Sequence, residues 1–286
     1  MSHVVVLTAN PETGLEDEAL FEACQALDVV GVPKRLSASA AEIPVEEYQV
    51  IVPEGLAVDV NCVPAANRRK RLLIADMDST IIPVECIDEV ADFAGVREQC
   101  VAITEPAMRG EMSFEEALRL RVALMEGLPA ERLQDVYDQR VSLNPGARTL
   151  VQTMRANGAY TALVSGGFTF FTERVAAATG FHENRANRLE IEDGRLTGKA
   201  AEPILGRQSK VSALQDLTVA HGLDPADTLC VGDGANDLGM IELAGLGVAY
   251  HAKPIVADAA RAKIEHGDLT ALLYLQGYSE DEFVTG

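Results

Sequence analysis

Three short stretches, Leu72 to Ala75, Thr161 to Val164 and Thr228 to Val231, are apolar or β-branched throughout. Runs of that length, bounded by turn-forming residues, predict strands buried on both faces. Each spills at once into a polar loop: Asp76-Met77-Asp78-Ser79-Thr80, Ser165-Gly166-Gly167, and Gly232-Asp233-Gly234-Ala235-Asn236-Asp237. Between and after them, apolar residues at helical spacing predict helices over Ala147 to Asn157, Val211 to His221 and Pro254 to Ala262, with Gly158 and Gly222 just past two of the ends. Gly245 to Ala249 predicts a further strand, and Leu189 to Gly198 alternates around Asp193-Gly194 as a hairpin does. Strands alternating with helices predict an α/β fold with a doubly wound parallel sheet. The polar loops then gather in the crevice beyond the carboxyl ends of the strands, where ligands bind.

Two segments stand outside that alternation. Glu85 to about Val141 keeps helical periodicity for too long to be one crossover helix, which predicts a helical insertion lying as a lid over the first strand's end. Within it, Ser113 and Glu116 have the spacing of a capping box, and Phe114, Ala117, Leu118 and Arg121 continue at helical spacing. At the other end, His3 to Leu7 predicts a strand, Leu15 to Leu27 an amphipathic helix, and Tyr48 to Val52 a second strand. The expected organisation is a small α+β unit over 1–66, a core over 67–84 and 142–286, and a helical cap over 85–141. The basic run Arg68-Arg69-Lys70-Arg71 reads as a solvated linker, being short and free of aromatics.

Composition narrows the partners. A net charge of −20 argues against nucleic acid or an anionic membrane surface. It also repels an anionic substrate, so a phosphate site here needs local positive charge. Five cysteines with no Cys-x-x-Cys pair read as free thiols of a reducing cytosol. The N-terminus lacks the basic start and apolar core of a signal peptide, and no apolar run approaches the roughly 20 residues that span a bilayer. A cytoplasmic protein is expected.

The polar loops carry the chemistry. Asp76 and Asp78 lie two apart just past a strand, and Asp233 and Asp237 bring more acid to the same edge. Crowded carboxylates repel unless a cation or a shared proton intervenes. A hard divalent ion, Mg²⁺, prefers oxygen ligands and also binds phosphate. One carboxylate can attack phosphorus while its neighbour exchanges a proton with the leaving alcohol. Ser165 offers a hydroxyl, Gly166 and Gly167 let backbone N–H groups approach an anion, and Lys210 offers positive charge.

In order, these segments match the four motifs of the haloacid dehalogenase-like phosphatases, and the resemblance covers residues 72 to about 275, roughly 70% of the chain. More narrowly, Asp76 to Thr80 with Glu85, then Met108-Arg109-Gly110 through Phe114 to Leu120-Arg121-Val122, then Val164 to Phe168, resemble the phosphoserine phosphatase family. That resemblance implies Asp76 as nucleophile and Mg²⁺ ligand, and Asp78 as general acid/base that also binds Mg²⁺ through its carbonyl. It implies Asp233 as third ligand, with Asp237 supporting the metal from nearby. It implies Ser165, Gly166 and Lys210 as phosphate holders, Asn236 beside the phosphate and attacking water, and Phe114 and Met108 as a screen against water. Glu85 suits the ammonium of a phosphorylated amino acid and Arg121 its carboxylate. Val211 stands where the family usually has glycine after the motif lysine. Longer members carry a small βαββαβ amino-acid-binding (ACT-like) module. Residues 1–66 read as a reduced relative of it or as a dimerisation or cap-supporting element, so a homodimer is one expectation.

The implied activity is hydrolysis of O-phospho-L-serine. The rivals are action on another small phosphomonoester, such as phosphohomoserine or phosphoethanolamine, and a non-catalytic phospho-ligand sensor.

Overall fold

The computed structural model describes residues 2–51, 57–108 and 111–285. Its first elements are β1 (His3–Ala9), α1 (Asp17–Ala26), β2 (Lys34–Arg35), β3 (Ala40–Val45) and β4 (Val58–Pro64), with the strands in one antiparallel sheet of order β2-β3-β1-β4. β1 is apolar without alternation because both its faces are covered. Val5 and Leu7 join Ala19 and Ala23 of α1, while Val4 and Val6 face the main core of the molecule. The strand expected at Tyr48 to Val52 does not form. Residues 48–51 have no regular structure, Tyr48, Val50 and Ile51 are exposed, and Val52 lies outside the described residues. β3 and β4 already occupy both sides of β1, so this β-prone stretch finds no place beside the central strand.

The remaining strands are β5 (Leu72–Ala75), β6 (Tyr160–Phe168), β7 (Glu183–Asn187), β8 (Leu189–Glu192), β9 (Arg195–Ala200), β10 (Thr228–Gly232), β11 (Leu246–Tyr250) and β12 (Ala262–Ile264). Six of them make a parallel sheet of order β12-β11-β10-β5-β6-β7, and β8 and β9 pair as the expected hairpin. The helices are α2 (Cys86–Phe93), α3 (Arg97–Met108), α4 (Phe114–Ala123) and α5 (Arg132–Arg140) in the insertion, then α6 (Ala147–Ala156), α7 (Thr169–Thr179), α8 (Arg207–Ala220), α9 (Leu238–Leu243), α10 (Pro254–Ala259) and α11 (Ala271–Leu275). Central β5 is apolar at every position because each of its faces meets helices. Leu72 and Ile74 pack with Ala213, Leu214 and Leu217 of α8, and Leu73 and Ala75 with Leu150 of α6 and Phe171 and Val175 of α7. Ser113 caps α4 as its spacing predicts, its hydroxyl accepting from the Glu116 N–H. Among the described residues no helix is long and apolar enough to cross a membrane.

Buried polar side chains fasten the N-terminal sheet to the parallel one. Asp59 of β4 accepts from the Glu265 N–H at 2.7 Å, the Gly267 N–H at 2.8 Å and the His266 N–H at 3.1 Å. Asn61 both donates to the Lys263 carbonyl and accepts from its N–H, as a ladder neighbour of β12 would. Half of the basic run after β4 is likewise tied down, while Arg69 and Arg71 stay exposed. Arg68 donates to the Tyr274 and Leu275 carbonyls at the end of α11 and pairs with Glu42, and Lys70 donates to the Ala226 carbonyl. Cations at a helix C-terminus satisfy carbonyls that have no partner within the helix.

Candidate active site

β5 ends with Asp76, whose N–H donates to the Val231 carbonyl of β10 at 3.0 Å. Its Oδ1 lies 2.7 Å from Lys210 Nζ, and the same ammonium reaches Asp237 Oδ1. Lys210 sits inside the first turn of α8 rather than just before the helix, and it is fully buried. Burial alone would lower its pKa, but Asp237 and Asp76 outweigh burial and hold it above the usual lysine range. Asp76 is pushed the other way, well above the usual carboxylate range, by burial and then by Asp237, against the pull of Lys210. Val211 packs its Cγ2 where a Cβ on residue 239 would come within 2.8 Å, so Gly239 in α9 makes the room that the departure at position 211 requires.

Two residues on, Asp78 turns to the opposite wall. Its Oδ1 accepts from the Cys86 N–H at 2.9 Å and its Oδ2 from the Ser165 hydroxyl at 3.1 Å. Burial, followed by the Glu85 charge, pushes its carboxyl up to about 6. The chain reverses at Ser79, a non-glycine residue at φ +56°, whose hydroxyl donates to Glu85 at 2.7 Å. A left-handed serine costs on the order of 1 kcal/mol, which packing on both sides sustains.

At the end of β6 the glycines are required by close approach. A Cβ on Gly166 would lie 2.8 Å from Phe114 Cζ, and one on Gly167 would lie 2.8 Å from Asp78 Oδ2. The Gly167 N–H donates to the Ser165 hydroxyl at 2.8 Å. Asn187, buried at the end of β7, donates to the carbonyls of Gly166 and Leu205, and so ties this loop to the segment that leads into α8.

Carboxylate oxygens of Asp76, Asp233 and Asp237 all lie within 4.8 Å of one another, and all three residues are buried. Asp233 accepts from Thr80 at 3.2 Å, and burial, then the Asp237 and Glu85 charges, push it up to about 6. Hard oxygen donors so crowded fit a small divalent cation. Asp237 is already engaged by Lys210 and by the Gly234 N–H, which leaves Asp76 and Asp233 the freer donors. The Asp78 carboxylate is not one of the three.

Asp76, Asp78, Glu85, Arg121, Ser165, Gly166, Asp233 and Asn236 all line one cleft of about 530 Å³ between sheet edge and cap, with Phe114 on its wall. Lys210 and Asp237 sit behind Asp76. The side chain of Met108, and Arg109 and Gly110 entirely, lie outside the described residues. Residues not anticipated include Asn187, the Thr80 hydroxyl, and Asp88 and Lys253, which both line the cleft. Lys253 closely follows the strand predicted at Gly245 to Ala249, so the strand-end logic that singled out Asp76 extends to it. Asn187 ends a polar edge strand and carries no such signal.

The family model for haloacid dehalogenase-like hydrolases matches residues 73–242. The chain is 43% identical to the phosphoserine phosphatase of Archaeoglobus fulgidus over 77% of its own length, and spans 64% of that protein. It is 44% identical to the phosphoserine phosphatase of a Polaromonas species over 78% of its own length and 97% of the relative's. Among solved structures, a HAD family hydrolase of Salmonella enterica serovar Typhi superposes with a TM-score of 0.85 at 29% identity, covering 99% of this chain and 100% of that one. The phospho-aspartyl intermediate analogue of a phosphoserine phosphatase superposes with a TM-score of 0.67 at 38% identity, covering 72% of this chain and 98% of that one. The motif-bearing strand ends, the matched span and these likenesses agree: the chain belongs to the haloacid dehalogenase-like hydrolase family.

Proposed function

We propose that this chain is an Mg²⁺-dependent phosphoserine phosphatase of the cytosol, releasing L-serine and phosphate as the last step of serine biosynthesis. One juxtaposition carries the reading: Asp76, held by buried Lys210, opens into the same cleft as Asp78, whose oxygens are fixed by Cys86 and Ser165. In the first half-reaction an Asp76 oxygen bonds to phosphorus, the bond from phosphorus to the seryl oxygen breaks, and Asp78 delivers its proton to that oxygen. In the second, water adds to phosphorus, Asp78 takes the water's proton, and the aspartyl-phosphate bond breaks. Burial and the Glu85 charge raise the Asp78 carboxyl above the usual carboxylate range, the direction that suits a group giving and taking a proton close to neutrality.

Asp76, Asp233 and the Asp78 carbonyl would hold Mg²⁺, with Asp237 behind them; the ion supplies charge neutralisation for the phosphoryl oxygens. Lys210 keeps the Asp76 carboxylate oriented and adds positive charge behind it. Ser165, the Gly166 N–H and Asn236 receive the phosphate, Glu85 the substrate ammonium, and Arg121 its carboxylate. Residues 85–141 act as the cap and 1–66 as an appended α+β unit. Asp76→Asn tests the reading by phosphate release: loss of Mg²⁺-dependent hydrolysis of phosphoserine is expected, and normal turnover by that variant refutes it.

A further inference from the structure

The acidity of the chain poses a problem for a phosphatase. Net charge is −20, whereas a phosphate monoester at neutral pH is a dianion at its reacting end. The cleft itself does not relieve this, because its described lining holds five acidic residues (Asp76, Asp78, Glu85, Asp88 and Asp233) and two basic ones, Arg121 and Lys253. Arg121 belongs to the cap, and its Nε donates to the Ala117 carbonyl of its own helix. Lys253 belongs to the core. It is exposed, and its side chain makes no ion pair or hydrogen bond among the described residues, though its charge pulls on the Asp233 carboxyl.

Its position is nonetheless set. The Lys253 N–H donates to the Asp233 carbonyl at 3.1 Å. Its own carbonyl accepts from the Val256 and Ala257 N–H groups as α10 begins, and Pro254 follows at the first helical position. The backbone that presents this ammonium is therefore pinned to a metal-site aspartate, and its charge, which acts on that aspartate, is held in no ion pair or hydrogen bond among the described residues. An exposed cation on the cleft lining, acting on Asp233 but held in no ion pair or hydrogen bond among the described residues, is what an otherwise repulsive surface needs in order to admit an anion.

We propose that Lys253 is an electrostatic guide, drawing the phosphate dianion into the cleft against the charge of the rest of the protein. The proposal rests on the phosphomonoesterase reading and names a residue for substrate capture rather than for bond breaking. A unit charge acting on a dianion across about 8 Å of water changes its local concentration about sixfold, and reversing the charge changes it about thirtyfold. Salt removes the effect, since the screening length shrinks to about 4 Å near 0.5 M.

The test measures kcat and KM for phosphoserine at fixed Mg²⁺, in low salt and in about 0.5 M NaCl. The proteins compared are the wild type, K253M, K253E and K253R. K34E serves as control, because it makes the same change in net charge on the outer strand β2 of the N-terminal sheet. In low salt, kcat/KM is expected to fall about sixfold in K253M and about thirtyfold in K253E, mostly through KM. Both losses should shrink to about threefold or less in high salt. K253R should recover the wild-type value, and K34E should stay within twofold of it. A K253E enzyme with the wild-type kcat/KM and salt slope overturns the proposal while leaving the function intact. So does a loss equal in both salts, which marks a packing role, or a K34E loss matching that of K253E, which marks net charge alone. A wild type that hydrolyses no phosphomonoester defeats the functional reading itself, a separate result.

Discussion

Adding one methyl group at Gly167 should disable the enzyme without unfolding it. A Cβ there would lie 2.8 Å from Asp78 Oδ2 and 3.0 Å from Ser165 Oγ, where ordinary contacts begin near 3.4 Å. Relief therefore requires Asp78 to retreat by about 0.6 Å and Ser165 by about 0.4 Å, as the differences from 3.4 Å show. Those two side chains are joined by a 3.1 Å hydrogen bond, so moving either disturbs it. Overpacking of this kind costs about 1–3 kcal/mol. Gly167 does not have a positive φ, so no backbone strain is added to the steric effect. Misplacing a reacting group by about 1 Å costs about a hundredfold in rate, so a shift of half that size predicts a loss of kcat of about tenfold or more. The assay is steady-state phosphate release from phosphoserine by Gly167→Ala, alongside a thermal melt to show that the variant is folded. Expected are a depressed kcat, a KM within about threefold of the wild type, and a melting temperature lowered by a few degrees. A folded variant whose kcat stays within twofold of the wild type would refute the claim that Asp78 and Ser165 must hold these positions.

Arg121→Ala should lower kcat/KM for phosphoserine by about ten- to a hundredfold, the worth of a charge-assisted pair, but barely affect an aryl phosphate that has no carboxylate. Equal losses on the two substrates would remove Arg121 from carboxylate recognition. Asp59→Ala strips the acceptor from the N–H groups of Glu265, His266 and Gly267, and should destabilise the protein by about 2–4 kcal/mol in chemical denaturation. A change below about 0.5 kcal/mol would mean that Asp59 does not fasten the N-terminal sheet.

Much of the core was legible along the chain. β5, β6, β10 and β11 are doubly buried, so their apolar runs appear whatever the neighbouring strands turn out to be. The strand at Tyr48 to Val52 failed for the converse reason: β propensity in a stretch left exposed beside a filled central strand makes no strand. β7, reading Glu-Asn-Arg-Ala-Asn, is a polar edge strand, and β12, though Ala262 and Ile264 are buried, has only three residues, too few for a pattern to carry much information.

The one-dimensional order of residues determined which groups leave the ends of buried strands, because burial writes apolar runs locally and the polar break after each run is local too. Asp76, Asp78, Ser165, Asp233, Asn236 and Asp237 were all legible on that basis. Tertiary structure alone decided what each polar group faces. It buried Lys210 between two aspartates, set the exposed Lys253 on the cleft lining near Asp233, and turned an apparent basic linker into a clamp on α11. A charge has no periodicity of its own, and its meaning comes from partners brought near only when the sheet orders its strands.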